Sequence, residues 1–220
     1  NEAIYYYKEA LDLYRKRFGD KADPEKVSMM EKSIAIALWN KGHYRECIAY
    51  FDKALAFHGI TFPKYPVIIF LDTVINLLIY IIGIHVPSLM WKKKPTRVDN
   101  EIVNLFYKRS QAYSFFEAMK YFISGLYFAR YISKLNITKL DSNIGADAIA
   151  GSSTMFSWTG ISFKLSKKIL EFIQDKIDPD NLKSVLMNNF AIAMYNYMTG
   201  ERLHEIEYDE NILNFNIMNG

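Results

Sequence analysis

The four histidines and the single cysteine are the residues of this 220-residue chain most suited to binding a metal or acting as a nucleophile. A metal site on a helix needs ligands three or four residues apart, but the histidines lie far apart in sequence, at His43, His58, His85 and His204. Cys47 stands where the surrounding pattern requires a small apolar side chain, so we predict a packed, unreactive thiol. One cysteine also excludes an internal disulfide and fits a reducing compartment. These residues therefore predict neither a metal site nor a catalytic cysteine.

Two further groups contain residue types that are found in active sites. Glu205, Glu207, Asp209 and Glu210 form an acidic cluster with the chemistry for cation binding or acid–base catalysis, although such clusters are more often solvated helix faces. The segment 145–153 has glycines and hydroxyls but lacks the lysine of a phosphate-binding loop, which favours a close helix-packing surface. The formal net charge of +3 is too small to indicate nucleic-acid binding. We predict a non-enzymatic protein without cofactor, metal or nucleic-acid partner.

The pattern that organises the chain lies in residues 37–57, ALWNKGHYRECIAYFDKALAF. Cys47, Phe51 and Ala54 are spaced i, i+4 and i+7, so small, large and small side chains share one stripe of a helix. With Gly42 and Tyr44 before it, this stripe resembles the second helix of a tetratricopeptide (TPR) repeat. Such a repeat buries its apolar face by stacking on its neighbours.

The sequence therefore predicts an all-α fold, a TPR-like solenoid in which antiparallel helix pairs form a right-handed superhelix. Comparable stripes begin at Ala3, Ala118, Ser166 and Glu205, and Asp23 and Asp99 stand at expected helix N-caps. We predict a single domain over residues 1–220, with repeats at 1–17 (partial), 25–61, 98–135, 145–177 and 181–217. Because the chain opens within a helix and without an initiator Met, we expect it to be a fragment of a longer protein.

Residues 67–86, VIIFLDTVINLLIYIIGIHV, form a long apolar segment between two repeats. As a helix it would be about 30 Å long, which is the thickness of a bilayer core, and lysines follow it. Asp72, Asn76 and Tyr80 form a polar stripe along one side, and a span would put the repeats on opposite sides of a membrane. We predict a buried extra helix of the solenoid; the alternative is a membrane-associated module anchored through this segment.

The order of these parts resembles the TPR-like C-terminal region of large bacterial signalling ATPases, which carry a STAND-type nucleotide-binding domain and in some members adenylate or guanylate cyclase or kinase domains. The resembling pieces are His58–Pro63, the apolar helix up to Pro87, Trp91–Pro95, Leu105–Phe116, Gly125–Arg130, Trp158–Ile161 and Tyr208–Leu213. None of them is a catalytic motif. The resemblance implies a cytoplasmic, regulatory protein–protein interaction scaffold within a larger signalling ATPase, cyclase or kinase; a free-standing TPR adaptor is the alternative.

A concave groove is the surface at which such a scaffold would bind a protein or peptide, or other domains of the parent chain. When the repeats are aligned on their small residues, aromatic and methionine side chains fall in two rows of the first helices, and these suit adaptable apolar recognition. The alternative interpretation is that the rows are core between helices. The predicted groove residues are Lys32, Trp39, Tyr107, Met155, Trp158, Met194 and Tyr197.

Overall fold

The computed structural model describes residues 2–86, 93–140 and 144–201, and throughout these ranges the regular structure is helical. One isolated bridge joins Lys93 to Leu135. The all-α prediction is confirmed. The chain, interpreted from sequence as one repeat domain, divides into two compact units at residues 1–141 and 142–220.

The first unit contains six α-helices within its described residues. They are α1 (Glu2–Phe18), α2 (Pro24–Asn40), α3 (Tyr44–Phe57), α4 (Pro66–His85), α5 (Arg97–Ser114) and α6 (Ala118–Ile132). Short 3-10 helices lie at Gly19–Lys21 and Ile137–Lys139. Each helix packs on a neighbour close in sequence: α1 on α2, α2 on α3, α3 on α5 and α5 on α6, while α4 packs on α6.

Helices α2 and α3 follow directly from their sequence signals. The Asp23 side chain caps α2 by accepting a hydrogen bond of 2.9 Å from the Glu25 backbone N–H. Gly42 turns the chain at a φ of +76°, a conformation that glycine adopts without strain. The stripe of α3 is fully buried, with Cys47, Phe51 and Ala54 all at 0 % exposure. Burial of the small-large-small pattern is confirmed in this helix pair.

The start of α5 differs from the prediction by three residues. Thr96, rather than Asp99, is the N-cap. Its hydroxyl accepts from the Asp99 backbone N–H and the Asp99 carboxylate accepts from the Thr96 backbone N–H, which makes a reciprocal capping box. In α6 the predicted stripe is only partly buried, because Phe122 is in the core whereas Ala118 is exposed. Packing of α6 against both α5 and α4 buries more of its circumference than a single stripe.

The stripe predicted for α1 is wrong. Ala3, Tyr7 and Ala10 are exposed, and Leu11 is the buried residue of this helix. Ile4, one residue after Ala3, is half-buried, so the face turned to α2 is shifted by about one position. One residue rotates a helical face by about 100°, which is enough to move a stripe out of the core.

The second unit is built around a helix of small residues. Its helices are α7 (Ile144–Thr159), α8 (Phe163–Gln174) and α9 (Leu182–Thr199), and α7 packs against both of the others. Gly151 permits the close approach, since a Cβ atom there would meet the Met187 methyl at 3.2 Å. The Asp147 carboxylate is buried and accepts a 2.7 Å hydrogen bond from the Ser184 hydroxyl. The second helix predicted within 181–217, with Glu205 and the acidic cluster, lies outside the described residues.

Candidate functional site

Of the predicted groove residues in the first unit, two lie where α2 runs beside α5. The Lys32 ammonium donates to Glu101 at 2.6 Å, and the Lys108 ammonium lies 4.0 Å from the centre of the Trp39 ring. The Trp39 indole N–H is buried and has no acceptor among the described residues. Tyr107 faces elsewhere, with its ring 6.2 Å from that of Phe128 on α6. We call the surface formed by Lys32, Trp39, Glu101 and Lys108 the α2–α5 seam.

In the second unit the predicted groove residues fall into two classes. Met155 is only 1 % exposed, so its side chain belongs to the core around α7 and is not available on a surface. Trp158, at the end of α7, is 53 % exposed, and Tyr197 on α9 is 74 % exposed. Met194 is half-buried. Trp158 and Tyr197 are therefore the residues of this set with the most surface to offer a partner.

Arg109 connects three helices and had no signal in the sequence. Its guanidinium is buried, pairs with Asp52 of α3 and donates a 2.7 Å hydrogen bond to the Ser124 hydroxyl of α6. The ring centre of Phe62 lies 3.6 Å from the guanidinium carbon, a cation–π contact. Asp52 lies 57 residues before Arg109 in sequence, and Ser124 lies 15 residues after it. The contacts join the two successive helix pairs.

Among the described helices of the first unit, α4 has the most exposed large apolar side chains, and they lie on its outer side. Eight large apolar side chains of this helix are between 39 and 70 % exposed: Val67, Ile68, Phe70, Leu71, Val74, Ile75, Leu78 and Ile82. We call this the outer face of α4. The helix is long and apolar enough to cross a membrane, with a mean hydropathy of 2.5, yet only 22 % of it is buried. The prediction of a buried extra helix is wrong.

The inner side of α4 carries its polar groups and faces α6. The Tyr127 hydroxyl donates to the Asp72 carboxylate at 3.0 Å, and Arg130 donates to the side-chain oxygen of Asn76 at 2.9 Å. Burial, followed by the contact with Asp72, raises the pKa of Tyr127, so the phenol remains a donor at neutral pH. Asn76 and Tyr80 are buried. The polar stripe seen in the sequence is therefore the packing surface of α4.

The direction of α4 follows from these two hydrogen bonds. Asp72 of α4 bonds to Tyr127 of α6, and the later residue Asn76 bonds to the later residue Arg130. Because the residue numbers increase in the same direction on both helices, α4 and α6 run parallel. The carboxyl ends of both helices therefore lie at the same side of the unit. There the Lys93 backbone N–H donates to the Lys134 carbonyl at 3.0 Å, which fixes the segment before α5 beside the end of α6.

The thiol of Cys47 is buried, as predicted, and donates to the Tyr44 carbonyl at 3.1 Å. Burial raises the pKa of the Cys47 thiol to about 12, so the thiolate required of a nucleophile is scarce at neutral pH. Within the described residues, no group of three or more His, Cys, Asp or Glu side chains is arranged to hold a metal ion.

Comparison with known proteins returned no relative: no family model, no curated protein and no solved structure matches the chain. The surfaces described above are therefore the basis for a functional proposal.

Proposed function

We propose that this chain is a non-catalytic, TPR-like interaction scaffold that binds a protein or peptide, or other domains of a longer parent protein, in the cytoplasm. Its regulatory output would be that of a signalling ATPase, cyclase or kinase, as the sequence resemblance implies.

The parallel course of α2 and α5 is the observation that carries the scaffold proposal. Lys32 of α2 pairs with Glu101 of α5, and Trp39 of α2 contacts Lys108 of α5. The second contact lies seven residues after the first on both helices. The first helices of two successive pairs are thus side by side and in the same direction. Between them α3 runs back, because Tyr44 stacks on Phe115 whereas Asp52 pairs with Arg109. Repetition of a helix pair in one direction is how a TPR-like solenoid is built.

Exposed aromatic side chains supply the recognition chemistry of this proposal. Trp158 and Tyr197 combine a large apolar area with few rotatable bonds and a polar tip, and such residues contribute most of the affinity in many interfaces. Trp39, whose indole N–H is buried, contributes its ring to the α2–α5 seam, where the Lys108 ammonium lies 4.0 Å from the ring centre.

Peptide selection followed by substitution tests the scaffold. A displayed library of random peptides is selected on the purified chain, and the affinity of recovered peptides is measured calorimetrically for the original chain and for Trp158→Ala. We expect a loss of about tenfold or more in affinity, with a change of under about 1 kcal/mol in the free energy of unfolding, because the side chain is half exposed. Phe57→Ala is the control, since it removes a comparably exposed aromatic from α3. Equal affinities of both variants would exclude Trp158 from the binding surface, and failure to select any peptide would count against the scaffold.

The assignment to a signalling protein has a separate test. Determining the coding sequence on the 5′ side of Asn1 would support a regulatory arm if it encodes a P-loop ATPase domain, with or without a cyclase or kinase domain. A start codon within a helix or two of Asn1 would leave a free-standing TPR adaptor.

A further inference from the structure

We propose that the outer face of α4 docks the first unit onto the surface of an anionic lipid bilayer, with the helix lying in the plane of the membrane. This inference does not depend on the repeat interpretation, because it rests on the sidedness and the charges of one helix.

A surface helix of a soluble protein usually turns its apolar side to the core and its polar side to water, and α4 does the opposite. The side-chain oxygens of its polar residues Asp72 and Asn76 accept hydrogen bonds from α6, whereas the outer face presents eight large apolar side chains to the surroundings. Asp72 is the only charged residue in the span 66–84, and it lies on the inner side. The exposed apolar face runs for about 23 Å along the helix without a charge, and contiguous apolar surfaces of this kind mark interaction sites.

The charges at the two ends of α4 indicate which kind of partner covers this face. Lys64 is exposed immediately before the helix. On the side of the unit where α4 and α6 end, the Lys93 backbone meets Lys134. Lys94, Arg97 and Lys134 are exposed and make no ion pair within the described residues. Lys93 is matched there by the carboxylate of Asp99, at 3.0 Å. Basic residues at both ends of an apolar helix face complement the phosphates of an anionic membrane surface, to which each contributes favourably.

The contacts on the inner side of α4 favour surface docking over a transmembrane span. A span would carry α6 into the bilayer along with α4, because Tyr127 and Arg130 of α6 bind the polar groups of α4. Alternatively α4 would leave α6 and expose Asp72 and Asn76 to hydrocarbon, at a high cost in free energy. Docking through the outer face keeps these hydrogen bonds and removes only apolar side chains from water. Tyr65, exposed at the start of α4, has the amphipathic ring that is typical of the interfacial region.

Vesicle flotation with the full 220-residue chain tests the docking surface. Vesicles of phosphatidylcholine with about one third phosphatidylserine are compared with vesicles of phosphatidylcholine alone, and we expect binding to the anionic vesicles that weakens in high salt. The double variant Leu71→Asp/Leu78→Asp should lower the partition constant at least about tenfold, since two charges enter the apolar face. The matched control Leu13→Asp/Met29→Asp places two charges on similarly exposed apolar positions of α1 and α2, and should change it less than about twofold. Equal effects of the two pairs would overturn the proposal.

Charge reversal separates the basic ends from a general effect of net charge. Lys94→Glu/Arg97→Glu/Lys134→Glu should reduce binding to anionic vesicles by about tenfold or more, because each basic residue near the surface is attracted to the anionic lipid. Lys16→Glu/Arg17→Glu/Lys21→Glu makes the same change in net charge on exposed positions in the last turn of α1 and the 3-10 helix after it, and should reduce vesicle binding much less. If the two triple variants bind equally, the basic ends do not recognise lipid.

Depth and self-association decide between the remaining occupants. Fluorescence of Leu78→Trp, after subtraction of the parent chain's signal, should be quenched more by lipids brominated near the headgroup than by lipids brominated near the chain end. The opposite order would mean that α4 spans the bilayer, and would overturn in-plane docking.

Sedimentation equilibrium tests whether a second copy of the chain covers the outer face instead. A chain that does not bind vesicles but forms a dimer, with the dimer lost in Leu71→Asp/Leu78→Asp, would make a second copy the occupant. A monomer that binds no vesicle would likewise refute the proposal.

Discussion

The ion pair between Arg109 and Asp52 makes an asymmetric prediction about stability. The arginine side chain is 6 % exposed, whereas that of Asp52 is 40 % exposed. Asp52→Ala therefore leaves a buried guanidinium without its counter-charge, and Arg109→Met leaves a carboxylate that water can solvate. The less buried partner is thus expected to be the more costly one to remove.

The magnitudes follow from what each variant leaves behind. After Asp52→Ala the guanidinium keeps the Ser124 hydrogen bond and the Phe62 ring but not its charge partner, so we expect a loss of about 3 kcal/mol in the free energy of unfolding. Arg109→Met removes those contacts while filling most of the volume, and Ser124 retains the Ser110 hydroxyl at 2.8 Å, so we expect a loss of about 1–2 kcal/mol. The double variant should resemble Arg109→Met alone, because no buried charge remains.

Urea unfolding followed by tryptophan fluorescence measures these differences. In a Trp91→Phe/Trp158→Phe background the remaining Trp39 lies in the same unit as Arg109 and reports its unfolding. Glu117→Ala is the control, since its ion pair with Lys120 is exposed and should contribute under about 0.5 kcal/mol. A smaller loss for Asp52→Ala than for Arg109→Met would refute the reasoning, and so would additive losses in the double variant.

Two further predictions concern the caps and the core of the first unit. Burial alone would raise the pKa of Asp99, but hydrogen bonds from Thr96, Lys93 and Tyr131 outweigh it and lower the pKa from 3.8 to about 2. Because the folded-state value is the lower one, this stabilisation is complete above about pH 4 and is lost as the pH falls toward 2; Asp99→Asn should abolish that dependence in acid unfolding curves. Phe51→Ala should cost about 3–5 kcal/mol, since the ring is fully buried, whereas the exposed Phe57→Ala on the same helix should cost under about 1 kcal/mol by urea unfolding. Similar losses for the two phenylalanines would contradict the assignment of the buried stripe.

Helix positions could be predicted from sequence wherever their signals are local. The cap at Asp23, the proline after it and the stripe of Cys47, Phe51 and Ala54 each depend on residues within two turns of a helix. The same logic was wrong in α1, where the buried face lies about one position away from the predicted stripe. A helix that packs on only one neighbour can turn any of several sides toward it. Its sequence pattern therefore predicts the buried side poorly.

Contacts between helices could not be predicted, because they join residues far apart in sequence. Nothing near Arg109 indicates that Asp52 and Phe62 will surround its guanidinium. Met155 was placed in a groove by aligning repeats, yet α7 is enclosed by α8 and α9 and buries it. Trp158, three residues later on the same helix, lies near its end and is exposed. Which side of a helix remains open depends on how many neighbours cover it.

Helix α4 shows how a correct local pattern led to a wrong inference about burial. Asp72, Asn76 and Tyr80 form a polar stripe in the sequence, which predicts that the apolar remainder of the helix faces the core. Average hydropathy contains no information about direction, and a polar stripe can be satisfied either by water or by donors on another helix. Tyr127 and Arg130 are those donors, and their position could not be read from residues 66–85. Once they occupy the polar side, the apolar side must face outward.

The two proposed surfaces of the first unit are carried by different helices and can therefore be tested separately. The outer face belongs to α4, which packs on α6, whereas Lys32 and Trp39 of the α2–α5 seam lie on α2. Charges introduced at Leu71 and Leu78 should thus leave peptide binding unchanged while they lower the vesicle partition constant at least about tenfold. Loss of both activities in that variant, at an unchanged free energy of unfolding, would mean that the two binding surfaces are coupled and that lipid contact changes how the scaffold binds its partner.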